Sequence, residues 1–334
     1  MEKDILVEFV FSCEENKEYF KRFVDKEDVY ICHILDSEYT RPEEELDKLS
    51  YLIACHKPSF YLIDSYYITA DYCKAIYEIA SKNSIKISIG YIDDLKCYDY
   101  PIDLVVNYDL DVNTQLYSAK KVLGGVEYAP LRNEFLGVDY DIRFKVARVF
   151  LSVGGTDPFQ IIRKTYEYLY HNSYLVVNTP LPTFDIILGA YFTEEYKEQL
   201  LKISGGQGVV FHENVSDISL LMRQCDLAIS AGGTSIYELC AIGVPTIAFG
   251  MSDNQIEFLK SFYEEGMIEY IGDIRTLSSP EKDIAVCYEQ VRMNYGLRKQ
   301  LSRNSRRMID GKGAERIAES IIKYLEESEY KSDV

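Results

Sequence analysis

Short apolar runs alternate with amphipathic stretches along the chain, most regularly in its first half. Five apolar runs there have the length of a strand, and three amphipathic stretches between them have the length of a helix. A repeated strand–helix–strand order is typical of a parallel sheet with helices on its faces. The strands predicted in this half are 5–11, 30–35, 60–63, 85–92 and 104–107, and the helices are 15–24, 43–54 and 70–81.

The segment 130–144 interrupts this alternation, because it is polar, aromatic and irregular. We therefore predict two domains, 1–142 and 143–334, with a mobile hinge in 130–144. The predicted fold class is α/β, with two doubly wound Rossmann-like domains facing across a cleft, and ligands bind beyond the carboxyl ends of the strands in such sheets. The strands predicted after the boundary are 148–153, 174–177, 186–188, 209–212, 227–230 and 246–249, and the helices are one opening near 158, 216–223, 235–241, 254–264 and 314–327.

The net charge of the chain limits the kinds of molecule that it is expected to bind. The 334 residues include 36 Lys and Arg against 54 Asp and Glu, a net charge of −18. This argues against nucleic acid or an anionic membrane as a main partner. It leaves a phosphate-bearing small ligand open, because backbone N–H groups at a helix start bind phosphate without Lys or Arg. The chain has no apolar run of the ~18 residues that a membrane span needs.

Cysteine and histidine spacing predicts neither disulfides nor a metal site. The eight cysteines form no CxxC pair, and most lie in apolar segments. We interpret them as buried free thiols of a cytoplasmic protein, with no metal and no cofactor. We interpret the four histidines as structural, since none is near another in the sequence or lies in a glycine loop. They are His33, His56, His171 and His212.

The segment LAISAGGTSIYELCAIGVPTIAFGMSDNQ, 227–255, carries the strongest chemical signal. A buried strand ends at Ser230, Gly232 and Gly233 turn the chain, and Thr234 or Ser235 caps the next helix. Glycines let phosphates approach the backbone, and the helix start offers free N–H groups and a positive dipole end. This arrangement predicts a diphosphate site. Glu238, expected in the first helical turn, is placed to accept hydrogen bonds from the two ribose hydroxyls.

Three further loops follow other strands of the same predicted sheet. Gly154, Gly155 and Thr156 form a second glycine loop after the first strand of this domain and, with Ser230, are candidate substrate-binding residues. Asn254 and Gln255 begin a helix after the strand 246–249. The loop 212–216, which includes Val215, is a candidate frame for a base through its main-chain groups.

In the first half, acidic and tyrosine residues close two apolar strands. Asp64 and Tyr66 follow the strand 60–63, and Asp93 and Asp94 follow the strand 85–92. Paired carboxylates act as general bases or metal ligands in many sites. Alternatively, Asp64 and Asp94 only cap the helix or turn that follows.

These residues resemble a known family. SAGGTSIYELCAIGVPTI followed by DNQ is similar to the C-terminal domain of GT-B nucleotide-sugar enzymes, in particular glycosyltransferase family 28. The resemblance is closer to the UDP-sugar hydrolases of pseudaminic acid biosynthesis, which act on UDP-2,4-diacetamido-2,4,6-trideoxy-β-L-altropyranose, and it covers about 11–323. The strings that add to it are IDSYYIT from Ile63, YIDDL from Tyr91, VVNYD from Val105, GGVEYAPLRNEF from Gly124 and SVGGTDP from Ser152.

The resemblance implies roles for the residues named above. Gly232, Gly233, Thr234 and Ser235 would hold the diphosphate of UDP, and Glu238 would bind its ribose. Main chain near Val215 would contact the uracil, and Asn254 and Gln255 would face the sugar. Tyr66 occupies the D-x-Y position at which the family has an active-site tyrosine. The implied reaction delivers water to the anomeric carbon and releases UDP.

One part of the family pattern is missing. The family's base is a histidine in a G-x-G-H segment after its first strand, whereas no glycine precedes Tyr61 here. The resemblance therefore implies an N-terminal domain that lacks its first strand and glycine loop, and poor hydrolysis by the usual mechanism. A GT-B glycosyltransferase with a UDP-sugar donor and an inactive UDP-sugar-binding protein remain alternatives. The sequence does not predict the oligomeric state.

Overall fold

The computed structural model describes residues 5–21, 24, 30–176, 182–203 and 208–330. The strands are β1 Glu8–Phe11, β2 Ile31–Ile34, β3 Phe60–Asp64, β4 Ser88–Ile92, β5 Leu104–Asn107, β6 Lys121–Gly124, β7 Arg148–Ser152, β8 Thr183–Ile187, β9 Val209–His212, β10 Leu227–Ala231, β11 Thr246–Gly250 and β12 Glu269–Asp273. The helices are α1 Glu14–Phe20, α2 Leu46–His56, α3 Ala70–Lys82, α4 Ile161–Val176, α5 Glu194–Ile203, α6 Ile218–Gln224, α7 Thr234–Ile242, α8 Asp253–Glu264, α9 Pro280–Met293, α10 Tyr295–Met308 and α11 Gly313–Tyr330. Short 3-10 helices lie at Pro42–Glu45, Thr114–Leu116, Val126–Tyr128 and Asn133–Phe135.

The chain divides into two compact units. Unit 1 comprises Met1–Tyr108, Val112–Gly124 and Ile317–Val334, and unit 2 comprises Asp109–Asp111 and Gly125–Arg316. This division differs from the predicted boundary at 142, since Asp109–Asp111 belongs to unit 2, and it also differs in two longer segments. The segment 125–142, with most of the predicted hinge, packs in unit 2, and the end of α11 returns to unit 1.

Buried anchors explain both differences. Within the irregular segment, Phe135 and Tyr140 are buried, and the Tyr140 hydroxyl donates to the carbonyl of Cys225 at 3.0 Å. In α11, the Tyr324 hydroxyl donates to Asp103 Oδ1 at 3.2 Å, and Lys121 Nζ donates to the carbonyl of Ser320 at 3.1 Å. Spaced apolar anchors in a polar segment do not produce a helix or strand period, so the pattern did not show them.

Unit 2 contains a six-stranded parallel sheet in the order β12-β11-β10-β7-β8-β9. Successive strands extend from β7 to one side, and β10 lies on its other side. The strand order therefore reverses between β7 and β10, which is where ligands bind in doubly wound sheets. Every residue of β10 and β11 is buried, as expected for central parallel strands covered on both faces.

A charged network crosses three strands of this sheet. Asp185 of β8 is fully buried and accepts hydrogen bonds from Arg148 Nε at 2.9 Å and Nη2 at 2.5 Å. His212 Nε2 of β9 lies 2.8 Å from the same carboxylate. A buried charge is tolerated when it is paired and hydrogen-bonded in this way. His212 thus has the structural role that we predicted.

Unit 1 contains two parallel sheets among the residues that the structure describes. One pairs β1 with β2, and the other has the order β3-β4-β5-β6. No described strand joins β1 to β3. The edge strand β3 leaves Leu62 41% exposed, while Leu104, Val105 and Val106 of β5 are fully buried.

The alternation predicted most strands but misassigned one. The strand expected at 174–177 is wrong, because residues 174–176 continue α4. Residue 177 lies outside the described residues. So do residues 22 and 23, which lie near the end of the helix predicted at 15–24, and residues 25–29. A four-residue apolar run fits a helix as well as a strand, so periodicity alone could not decide. The pattern did not predict β6, α5, β12, α9 or α10.

All eight cysteines carry free thiols, but fewer are buried than we predicted. Cys73, Cys225 and Cys240 are buried, and Cys55 is exposed. Among the described helices, none combines the length and the apolar character that crossing a membrane would require.

Candidate functional site

Two glycine loops follow the two strands at which the strand order of unit 2 reverses. β7 ends at Ser152 and β10 ends at Ala231, and Ser152 pairs with Ser230 in the sheet register. The loops that contain Gly154 and Gly233 therefore leave the sheet side by side. Both glycines face open space, since a Cβ built on either would meet no atom within 4 Å. The structure thus places the second glycine loop beside the loop that the sequence predicted as a diphosphate site.

The adjacent glycines Gly232 and Gly233 have different roles. A Cβ at Gly232 would lie 2.8 Å from Leu259 Cδ1 and 3.0 Å from Gln255 Cβ, so this residue has no side chain because α8 packs against it. Gly233 is the N-cap of α7 and has extended backbone, with a φ of 173°. Any residue could adopt that conformation, so the only role visible for a glycine there is to keep the space open.

Helix α7 presents its N-terminus at this open space. Thr234 and Ser235 form its first positions, so the prediction that one of them caps the helix is wrong. The N-cap is Gly233, which has no side chain to accept hydrogen bonds from their N–H groups. The unpaired N–H groups and the positive dipole end of a helix favour an anion. Ser230, by contrast, is buried, and its hydroxyl donates to the carbonyl of Ala231 at 3.1 Å. Ser230 is therefore a structural residue beneath the loop.

Glu238 lies one turn beyond Thr234, in the second turn of α7 rather than the predicted first turn. Its Oε1 accepts a hydrogen bond from Arg132 Nη2 at 3.2 Å, and Arg132 also lies 3.1 Å from Glu134 Oε1. Burial raises the pKa of Glu238, the nearby Arg132 guanidinium opposes this shift, and Glu134 adds to it, with a net rise. A carboxylate has about four acceptor positions, so one bond from Arg132 leaves room for hydroxyl donors.

The loop after β7 rests on the loop after β8. The Tyr191 N–H donates to the carbonyl of Gly155 at 3.0 Å, and a Cβ at Gly189 would lie 2.4 Å from the carbonyl oxygen of Gly154. Thr156 is exposed beside it. Asp157 is buried and accepts hydrogen bonds from the N–H groups of Ile161 and Ile162 and from the Tyr196 hydroxyl. These contacts hold the glycine loop in place from below.

The remaining predicted contacts of unit 2 lie at the same sheet edge. Gln255 accepts a hydrogen bond from the Met251 N–H at 2.8 Å through Oε1, which stabilises the turn between β11 and α8. Asn254 is exposed, and its Oδ1 accepts a hydrogen bond from Ser252 Oγ at 2.6 Å. Val215 lies in the irregular loop between β9 and α6, where the preceding Asn214 has a φ of +51°.

In unit 1, Tyr66 and Asp94 meet at the carboxyl edge of the four-stranded sheet. The Tyr66 hydroxyl donates to Asp94 Oδ2 at 3.0 Å. Partial burial and the negative charges of Asp94 and Asp64 raise the pKa of Tyr66 to about 12, so the phenol is neutral near pH 7. Burial and the charge of Asp94 also raise the pKa of Asp64, and Tyr108 has its pKa raised by burial and by Asp94. A carboxylic acid held near another carboxylate is suited to proton transfer.

Asp93 has a different environment from Asp94. It is fully buried and accepts hydrogen bonds from the Leu95 N–H at 2.9 Å, the Cys97 N–H at 2.7 Å and the Tyr117 hydroxyl at 2.7 Å. These contacts stabilise the turn after β4, so the pair DD contains one structural carboxylate and one that faces a tyrosine.

Three residues of these sites escaped the sequence reasoning. Arg132 carried a signal, because it lies in the string GGVEYAPLRNEF, but its pairing with Glu238 spans 106 residues. Gly189 and Tyr191 follow a strand that periodicity did predict, and a glycine after a strand is a usable sign of close backbone approach. Contacts between such distant residues have no local pattern.

Comparison with known proteins finds curated relatives at low sequence identity. No protein-family model matches the chain. The chain is 27% identical over 232 residues to the spore coat polysaccharide biosynthesis protein SpsG of Bacillus subtilis. The match includes 66% of this chain and 63% of SpsG, so the chain spans less than two thirds of that relative.

Solved structures share the fold at low identity. A protein of Listeria monocytogenes described as a UDP-N-acetylglucosamine 2-epimerase has a TM-score of 0.62 at 13% identity, with 97% of this chain and 98% of that chain covered. The MnaA–UDP complex of S. aureus has a TM-score of 0.60 at 15% identity, with coverage of 96% and 97%. The predicted fold class is confirmed: the chain has the α/β fold with parallel sheets of GT-B proteins.

Proposed function

We propose that unit 2 binds UDP and that the protein releases UDP from a 2,4-diacetamido-2,4,6-trideoxy sugar by transfer to water. The observation that carries the nucleotide part is the open space at Gly233, between two glycine loops and in front of the α7 N-terminus. A similarly folded S. aureus protein has been solved with UDP, which supports the ligand class.

The two glycine loops suit the diphosphate group of UDP. Main-chain N–H groups at Gly233, Thr234 and Ser235 would bind its oxygens, and the loop of Gly154, Gly155 and Thr156 would lie along its other side. This mode of binding is compatible with a net charge of −18, because it uses backbone dipoles instead of Lys or Arg.

Glu238 is the candidate for the ribose. Its carboxylate is largely buried, with 14% of the side chain exposed, and Arg132 occupies only part of its acceptor capacity. The 2′- and 3′-hydroxyls would donate to the remaining lone pairs. Main chain near Val215 would pair with the uracil, and Asn254 and Gln255 would contact the sugar.

The chemical step is a displacement at the anomeric carbon. Water forms the new C–O bond, the bond from that carbon to the β-phosphate oxygen breaks with its electrons on UDP, and a base takes the water's proton. In unit 1 the candidate base is Asp94, with Tyr66 as its hydrogen-bond donor and Asp64 nearby. The similarity to SpsG, named for polysaccharide biosynthesis, supports a role in making a sugar, here of the nonulosonate class. The free thiols fit a reducing cytoplasm.

Binding is tested by calorimetry with UDP, UMP and 2′-deoxy-UDP. We expect UDP to bind more tightly than either analogue. Glu238→Gln should weaken the binding of UDP by about 1–3 kcal/mol and remove the preference for UDP over 2′-deoxy-UDP. Glu257→Gln is the matched control, since Glu257 is an exposed carboxylate on α8. Equal affinity of wild type and Glu238→Gln for UDP would place the ribose elsewhere.

Turnover is tested by UDP release from UDP-2,4-diacetamido-2,4,6-trideoxy-β-L-altropyranose in ¹⁸O-labelled water. Hydrolysis as proposed puts the label on the sugar's anomeric hydroxyl and none on UDP. UDP binding without release in water, but with release when a sugar acceptor is added, would replace hydrolysis by glycosyl transfer. Label on UDP would show attack at phosphorus and would contradict the proposed step.

A further inference from the structure

Two histidines and one glutamate that are far apart in the sequence converge in unit 1. His33 Nε2 of β2 lies 2.7 Å from Glu8 Oε2 of β1. His56 Nδ1, at the end of α2, lies 3.0 Å from the same oxygen. The two imidazole centroids are 4.8 Å apart. His33 and His56 are therefore neighbours in the fold, although they are not near each other in the sequence.

The three side chains have the spacing that a small cation requires. One ligand atom from each lies within 4.8 Å of the other two. A tetrahedral zinc ion at about 2.0–2.1 Å from its ligands holds them about 3.3 Å apart, so each side chain needs a shift of about 1 Å or less. The three residues also sit on three different elements, which gives the cluster a defined geometry.

The donor set selects the class of ion. Two imidazole nitrogens and one carboxylate oxygen suit zinc and its first-row neighbours, whereas calcium and magnesium prefer oxygen ligands alone. Side-chain exposure is 19% for Glu8, 19% for His33 and 38% for His56, so the ion could enter from solvent. Three protein ligands leave a fourth position for water or another ligand.

We propose that Glu8, His33 and His56 form a binding site for Zn²⁺ or a similar divalent transition-metal ion. Bound metal would join β1, β2 and the end of α2 within unit 1. The site is independent of the nucleotide site proposed in unit 2. It also differs from the sequence prediction, which expected no metal because cysteine and histidine do not cluster along the chain. The three ligands proposed here are 25 and 23 residues apart.

The alternative is a carboxylate that accepts hydrogen bonds from two imidazoles and binds no metal. Glu8→Gln distinguishes the two, because a glutamine amide can still bond to imidazole but lacks the anionic ligand. His33→Gln removes a nitrogen ligand. His171→Gln is the matched control, since His171 is an exposed histidine on α4 of unit 2.

The experiment uses chelator-treated full chain titrated with ZnCl₂ by calorimetry and with CoCl₂ by visible absorption. We expect one metal per chain, with affinity reduced at least tenfold in Glu8→Gln and in His33→Gln and unchanged in His171→Gln. Removing a hydrogen-bond partner of a metal ligand typically lowers metal affinity about 10–100-fold, so removing a ligand itself should lower it at least tenfold. Circular dichroism shows whether each variant is folded. If His33→Gln does not fold, Glu8→Gln tests the proposed site.

Zinc X-ray absorption provides a second readout that does not depend on variants. We expect nitrogen and oxygen neighbours at about 2.0–2.1 Å and no sulfur near 2.3 Å. Absence of binding by the wild type, undiminished binding by Glu8→Gln, or a sulfur shell from a thiol such as Cys32 would each overturn the proposed site.

Discussion

Arg132 and Glu238 form an ion pair across 106 residues, with Arg132 Nη2 3.2 Å from Glu238 Oε1. The pair connects the irregular segment after unit 1's last strand to the helix whose N-terminus faces the open glycine loop. It places a charged acceptor beside the proposed nucleotide site and compensates part of the cost of burying that charge.

Replacing the cation of this pair should have a pH-dependent effect on stability. We expect Arg132→Met to lower the free energy of unfolding by about 1–3 kcal/mol at pH 7, because Glu238 is left buried without its partner. The pKa of Glu238 is raised in the folded protein. Below the unfolded value of about 4.3 the carboxyl is protonated in both states, so the loss should disappear there and grow as pH rises through the folded pKa.

Denaturant titrations of wild type and Arg132→Met at pH 4 and pH 7 measure this difference. The double variant Arg132→Met with Glu238→Gln should recover part of the loss at pH 7. An equal loss at both pH values would indicate that Arg132 acts by packing over the Phe135 ring, 5.3 Å away, instead of by charge.

The two neighbouring glycines should separate binding from folding. Gly233→Asp places a carboxylate at the N-cap of α7, where it competes with the diphosphate for the same N–H groups. We expect at least tenfold weaker UDP binding, with stability unchanged or up to about 1 kcal/mol higher. Calorimetry and thermal unfolding measure the two effects.

Gly232→Ala is the matched variant and should lower the stability of the fold more than it weakens UDP binding. Its Cβ would lie 2.8 Å from Leu259 Cδ1, so we expect about 1–3 kcal/mol of destabilisation from overpacking. At temperatures where it remains folded, it should keep more UDP affinity than Gly233→Asp. Strong UDP binding by Gly233→Asp would show that the phosphates do not approach this helix.

The two adjacent aspartates should also differ. Asp93→Ala removes the acceptor of two N–H groups and one hydroxyl, so we expect about 2–4 kcal/mol of destabilisation. Asp94→Asn should change stability by about 0.5 kcal/mol or less and lower UDP release roughly 10²–10⁴-fold if Asp94 is the base. Steady-state assays at saturating substrate decide, and undiminished release by Asp94→Asn would exclude it.

An ion pair near the start of α11 should make stability fall in acid. The Arg316 guanidinium, 2.5 Å from Asp310, lowers the pKa of Asp310 to about 2. A lowered folded pKa contributes stability above the unfolded pKa of about 3.9, and this is lost as pH falls toward 2. Because both side chains are about one-third exposed or more, we expect Asp310→Asn to cost about 1 kcal/mol at pH 7.

Chemical unfolding between pH 7 and pH 3 should show wild type and Asp310→Asn converging as the solution becomes acidic. Asp71→Asn is the comparison, because Asp71 pairs with Lys74 on the exposed surface of α3 with 90% of its side chain accessible. A parallel offset at all pH values would show that the loss does not depend on the charge of Asp310 and would contradict this account.

The local pattern of apolar and polar residues predicted the helices and strands that bury one or both of their faces. The runs that became β4, β5, β10 and β11 are continuous and apolar because parallel strands are covered on both sides, so the chain itself identifies them. The glycine loops were visible for a similar reason. Gly232 and Gly233 follow a buried strand and precede a helix, and strand, turn and helix are all local.

Tertiary structure decided everything that depends on which distant residues meet. The sequence determined an α/β chain with a glycine-lined helix start, because period and turn chemistry act over a few residues, and its resemblance to a known family implied the GT-B type. Only the folded chain paired Arg132 with Glu238, separated Asp93 from Asp94, and brought His33 and His56 to Glu8. Those contacts arise from the order and register of strands, to which residues tens of positions apart contribute together, and no local period encodes them.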